Sequence, residues 1–432
     1  MSQENIIRTE LPGGVQVLCE PLAHVRSVAV GIWTRSGSRY ETPDTAGVSH
    51  FLEHLFFKGT TTRTARQIAE EADDVGAQLN AFTAKEHCCY YARATDSQLD
   101  LVLELLCDLV LHPAFPAAEV QREREVVVEE IKMYDDVPEE LVFDLAARSA
   151  WDGHPLGRRI VGSERVVRSI TREQVVEFYE RLYTSPRLVV AAAGHLEADH
   201  VCDVVASRLP PTAGARGPAL GSPPTFRPRR VVRVKDTEQV HVVASAPTVA
   251  QDHPDMLAVE VLATWLGGGA SSRLFQAVRE ERGWAYSVYC TPSFYTDCGL
   301  FSIYVATSPE RADDVADLVA AELVLGARDG PSTVELARAK EQLKASTLLG
   351  LEGTGARMTR LGRPAVTEGR LWTMDGLLSA IEAVTAADVR RVAASLFVPK
   401  GLALASIGRW EGPRSGDLWT DDGAPDGEEA QP

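Results

Sequence analysis

Two imidazoles and one carboxylate fall within five residues of this chain, His50-Phe51-Leu52-Glu53-His54. On a helix, positions i and i+4 lie one above the other and i+3 lies beside them, so His50 and His54 can hold one metal ion while Glu53 borders it. Neutral imidazole is a preferred zinc ligand, and a carboxylate that stays off the metal can take a proton from an attacking water. The spacing therefore predicts hydrolytic zinc chemistry, in the inverted order His-x-x-Glu-His. With 10 histidines in 432 residues, chance places such a pentad in roughly 3% of chains of this composition, which disfavours a merely solvated, His-rich turn. The flanking Val48, Phe51, Leu52, Leu55 and Phe56 are apolar. That predicts a buried helix whose polar residues need partners.

A catalytic zinc site takes three protein ligands and keeps one position open, so a third donor is required. A helix expected over 117–134 offers Glu119, Glu123, Glu125, Glu129 and Glu130. Periodicity does not choose among them, and most should be solvated charges paired with Arg122 and Arg124. Further helices are expected over 49–57, 65–75 and 96–111, with strands over 15–19, 27–34 and 88–92. Helices without regular strand-helix alternation predict an α+β fold, an antiparallel sheet with helices packed on one face.

The chain carries this plan twice. Thr171, Val175, Leu182 and Gly194 recur as Thr385, Val389, Leu396 and Gly408, each 214 residues on. Such an offset is an internal duplication. It maps His50, Glu53 and His54 onto Thr264, Gly267 and Gly268, so the second copy lacks the pentad. A Pro- and Gly-rich stretch separates the halves. The expected organisation is a metal-bearing domain at 6–209, a linker at 210–228, a homologous domain at 229–411 and a disordered acidic tail at 412–432.

A net charge of −17 excludes a phosphate-binding surface as the main function and suits a basic or unfolded peptide. The glycine-rich segment 267–275 lacks the Lys-Ser/Thr ending of a phosphate loop, so nucleotide binding is not expected. Seven scattered cysteines without Cys-x-x-Cys spacing predict reduced thiols. No signal-peptide pattern or apolar run of membrane-spanning length is present. These features predict a cytoplasmic protein that engages neither nucleic acid nor membrane.

Three segments in order, His50-Phe-Leu-Glu-His54-Leu-Phe-Phe-Lys-Gly-Thr60, Leu79-Asn-Ala-Phe-Thr83 and Arg122-Glu-Arg-Glu-Val-Val-Val-Glu-Glu-Ile131, resemble the pitrilysin family of inverted-motif zinc peptidases. Its members include mitochondrial processing peptidase, insulin-degrading enzyme and single-chain bacterial peptidases, and the likeness runs over about residues 6–410. The resemblance implies Glu130 as third ligand, one Zn2+ per chain, and Glu123 as a supporting carboxylate. Glu53 is implied as general base. It implies that Asn80 and Ala81 lie on an edge strand that receives an extended peptide. Arg279 and Tyr286, in the second half, match residues that anchor substrate and hold the oxyanion. The two domains are expected to form half of a clamshell, closed into a chamber by a second copy, with a heterodimer as the alternative. The activity implied is endopeptidase cleavage of unfolded peptides or presequence-like segments. A non-catalytic scaffold of the same fold, or the catalytic half of a heterodimeric processing peptidase, is the competing reading.

Overall fold

The computed structural model describes residues 5–209, 220–413 and 416–424. Two compact units divide them: the first takes residues up to Lys132, Arg159–Gly221 and Leu349–Thr373, and the second takes Met133–Arg158, Ser222–Leu348 and residues from Met374 onward. Neither unit is continuous in sequence.

In the first unit β1 (Ile7–Glu10), β2 (Gln16–Pro21), β3 (Ser27–Thr34), β4 (Gln78–Thr83), β5 (Cys88–Thr95) and β6 (Leu188–Gly194) form one sheet in the order β1-β2-β6-β3-β5-β4. In the second, β7 (Arg230–Arg233), β8 (Val240–Thr248), β9 (Ala285–Phe294), β10 (Gly299–Thr307), β11 (Ala403–Ile407) and β12 (Gly423–Ala424) follow the order β12-β7-β11-β8-β10-β9. Pairing is antiparallel except at β2–β6, β7–β11 and β7–β12. Long helical excursions precede β6 and β11, and such connections let a strand enter a sheet in either direction.

The repeat seen in sequence is a repeat of backbone devices. Thr171 and Thr385 each cap a helix, accepting the amides of Gln174 and Asp388, and both caps are reciprocal boxes. Gly194 and Gly408 end equivalent strands with φ of 137° and 138°. A Cβ at Gly194 would lie 2.2 Å from the carbonyl oxygen of Ser27, so the strand crossing there tolerates only glycine.

The α+β layers are present, and each sheet also carries a helix on its opposite face. On one face of the first sheet, Tyr90 of β5 packs against Phe56, with ring centroids 4.4 Å apart. On the other, Leu18, Trp33 and Ala191 enclose Met358 and Leu361 of the Thr354–Val366 helix, whose Arg357 pairs with buried Glu20. The second sheet is covered likewise: Val243, Tyr304 and Ala405 pack on Leu141, Val142 and Leu145 of the Pro138–Ala150 helix. Each half of the sequence thus lends one helix to the other's sheet. The reason is visible in β3 and β6, which are apolar and buried along nearly their whole length, so both faces need cover.

The described part of the connector, 220–228, forms neither helix nor strand, while 210–219 lies outside the described residues. The C-terminal stretch departs from the expected disorder between 416 and 424. Leu418 and Trp419 are buried, and β12 pairs with β7. Two apolar side chains anchor a segment whose composition is otherwise acidic; residues 425–432 lie outside the described set. All seven cysteines are free thiols.

The exchanged helix lies so close to β3 that a Cβ at Gly362 would sit 2.1 Å from the indole nitrogen of Trp33. Gly362→Ala should cost about 1–3 kcal/mol through overpacking, seen as an earlier urea midpoint. An unchanged midpoint would mean that the ring moves aside freely.

Candidate metal centre

The Val48–Phe56 helix begins at Gly47, held at φ 99°. Its first amides are not left to water. Glu41, itself buried, accepts the amide of Gly47 on Oε2 and that of Ser49 on Oε1, both at 2.8 Å. A carboxylate at this end satisfies two orphan donors and opposes the positive pole of the helix. Held in this way, the helix presents His50 and His54 on one face, ring centroids 4.8 Å apart.

Glu130 arrives from the Ala117–Asp135 helix. Its Oε2 lies 3.6 Å from His50 Nε2 and 3.3 Å from His54 Nε2. Among the described residues these three side chains form the one group that could hold a metal ion, with ligand atoms within 4.8 Å of one another. Tetrahedral zinc with bonds near 2.0–2.1 Å separates its ligand atoms by about 3.3–3.4 Å, so the observed spacings fit. The tautomer fits as well. His54 Nδ1 lies 3.3 Å from Glu123 Oε2, and a carboxylate there holds the proton on Nδ1 and leaves the Nε2 lone pair for a metal. Glu123 is in turn held by Lys58, whose Nζ is 2.8 Å from Oε1. Two imidazole nitrogens and a carboxylate oxygen facing one point form an N2O donor set that suits zinc.

Titration behaviour follows the same geometry. Burial, reinforced by the charge of His54, drives His50 down to about 4, keeping it neutral and ready to ligate. His54 is raised: burial opposes its charge, but the hydrogen bond and charge of Glu130, then Glu123, outweigh it. Burial lifts Glu53 above the ordinary carboxylate value, although the Thr83 hydroxyl and His54 pull it back. A carboxyl so raised accepts a proton more readily than a free one.

Asn80 and Ala81 lie on β4, which pairs only with β5 and so forms one edge of the first sheet. The Asn80 side chain accepts the amide of Ala81 at 2.8 Å. In the second unit, Arg279 lies over the rings of Phe275 and Tyr286, 4.7 and 5.3 Å from their centroids. Arg279 makes no ion pair among the described residues, and Tyr286 is 73% exposed.

The silent copy shows what replaced the site. A Cβ at Gly267 would stand 2.4 Å from the amide nitrogen of Cys290 on β9, so helix and edge strand there approach too closely for any side chain. Gly268 lends its carbonyl to Gln342, and Lys344, 214 residues on from Glu130 in sequence, pairs with Glu382 at 3.0 Å. Glu41, Lys58 and Thr83 escaped the sequence reading, since a buried carboxylate six residues before a helix start carries no motif.

Glu41→Ala should leave the ligands in place but fray the helix that carries them, at about 1–2 kcal/mol. Zinc affinity, measured by competition with a chelating dye, should then weaken by up to about tenfold. Unchanged affinity in folded protein would show that the helix start holds itself.

Comparisons with known proteins bear on the family to which the chain belongs. Residues 16–164 match the profile of Insulinase (Peptidase family M16), and residues 169–343 match that of the Peptidase M16 inactive domain. An uncharacterized zinc protease of Bacillus subtilis is 39% identical over 403 residues, covering 93% of this chain and 98% of its own length. One from Mycobacterium tuberculosis is 44% identical over 398 residues, 90% of each chain. The probable mitochondrial-processing peptidase subunit beta of Arabidopsis thaliana is 34% identical over 415 residues, 93% of this chain and 78% of its own. The fold is shared with a protease from Helicobacter pylori, TM-score 0.87 at 21% identity, over 94% of this chain and all of the other. Matching over most of its length and in both halves, the chain belongs to peptidase family M16.

Proposed function

We propose that the protein is a zinc endopeptidase that cuts unfolded peptides or presequence-like segments in a closed chamber, holding one zinc per chain on His50, His54 and Glu130. The observation that carries this reading is the position of Glu53. It shares a helix with both histidines, stays off the group of ligand atoms, and has a raised proton affinity. The open edge of β4 offers backbone donors and acceptors to an extended peptide, a mode that tolerates varied side chains. Zinc, when bound, supplies Lewis acidity toward water and the scissile carbonyl. Glu53 takes the proton of the attacking water and returns it to the leaving amine. Glu123 keeps His54 in its ligating tautomer. Arg279 and Tyr286, a guanidinium without an ion pair among the described residues and an exposed phenol, are suited to anchor the peptide and to donate to the oxyanion.

No helix among the described residues is long and apolar enough to cross a membrane. In this reading the enzyme works in the cytoplasm as a homodimer. A heterodimer is the second arrangement, favoured by the naming of the Arabidopsis relative as a subunit.

Glu53→Gln should lower cleavage of a quenched fluorescent peptide by roughly 10²–10⁴-fold while zinc, measured by plasma mass spectrometry, remains at wild-type content. Turnover that survives both this substitution and chelation would sink the proposal. Glu130→Ala should instead remove the zinc along with the activity.

A further inference from the structure

The Thr83 hydroxyl lies 2.6 Å from Glu53 Oε2. A threonine hydroxyl has a single proton, and its other acceptor within reach, the carbonyl oxygen of Ser49, is 3.5 Å away. The short, charge-assisted bond to the carboxylate wins. The thiol of Cys88 donates to the same hydroxyl oxygen at 3.6 Å, which leaves the Thr83 proton to Glu53. One oxygen of the base is thereby committed. Its other oxygen has no protein partner among the described residues and is the one left for water.

Thr83 is also the last residue of β4 and pairs in register with Cys88 of β5. Among the described residues no other strand covers the outer edge of β4. One side chain therefore joins the open edge to the carboxylate that moves protons.

Resting on the peptidase reading above, we propose that Thr83 is a positioning residue: it aims Glu53 at the attacking water and couples that aim to the occupancy of the β4 edge. A peptide added to β4 completes the backbone pairing of this strand and stills it, and Thr83 passes that order to Glu53. Without the hydroxyl, peptide still binds but the base wanders among rotamers. Misplacement of this kind costs rate rather than affinity.

The test is Thr83→Val, which keeps the β-branched shape and removes the hydroxyl, with Thr83→Ser as the conservative control. Expected for Thr83→Val is a fall in kcat of roughly 10- to 100-fold with KM within about twofold of wild type, and recovery of most of the kcat with Thr83→Ser. Zinc content and melting temperature should match wild type. In a zinc-loaded Glu53→Gln background, the affinity for an uncleaved fluorescent peptide, read by anisotropy, should be the same with and without Thr83→Val. A raised KM at full kcat, a loss of zinc, or an unchanged enzyme would overturn the proposal while leaving the peptidase reading intact. Wild-type protein that neither binds zinc nor cuts peptide would overturn both.

Discussion

Two imidazole nitrogens and a carboxylate oxygen converge within 3.3–3.6 Å across the Glu130 contacts, and that convergence is the constraint around which the first unit is arranged. Between His54 and Glu130 a shared proton satisfies the contact, and a metal ion taking its place would be held by all three atoms. The histidines and Glu130 stand more than 70 residues apart in sequence, on two helices, so the folded unit must bring them together and hold them. Glu41 fixes one helix by its first amides. On the second helix, Glu123 ties the Glu130 face back to His54 and to Lys58 just past the end of the first helix.

The same short stretch that caps the metal helix also anchors the hairpin beside it. Arg39, two residues before Glu41, forms a buried pair with Glu86 at 2.6 Å, and its amide bonds to the carbonyl of Lys85 at 2.8 Å. Glu86 and Lys85 lie in the turn from β4 to β5. Metal helix and edge strand are thus referenced to one three-residue segment, Arg39-Tyr40-Glu41. A buried ion pair contributes little net stability against an apolar alternative, but it fixes geometry, and here the geometry in question is that between a base and the strand beside it.

Duplication explains the rest of the architecture. Both copies kept the capping threonines and the strand-end glycines, which serve the backbone. Only one kept the ligands. In the other, glycine at 267 lets the helix approach β9 closely, and Lys344, the residue 214 positions after Glu130, is tied up in an ion pair with Glu382. The second unit exposes Tyr286 beside Arg279, which lies over its ring.

Much of this was legible in the chain itself. The pentad, the apolar flanks of its helix, the helices and strands of the first half and the 214-residue repeat all express local periodicity or identity, which survive in one dimension. Periodicity alone could not select Glu130 from its helix, because Glu125 and Glu129 have the same composition and differ only in direction; resemblance singled it out, and the structure shows Glu125 and Glu129 paired with Arg168 and Lys132. The exchange of the Thr354–Val366 and Pro138–Ala150 helices left no local trace, since an amphipathic helix does not record which sheet it will cover. Nor did Glu41 and Thr83 announce themselves. Their roles are hydrogen bonds to partners 6–8 and 30 residues away, and direction at that range is set only when tertiary packing orients the elements that carry them.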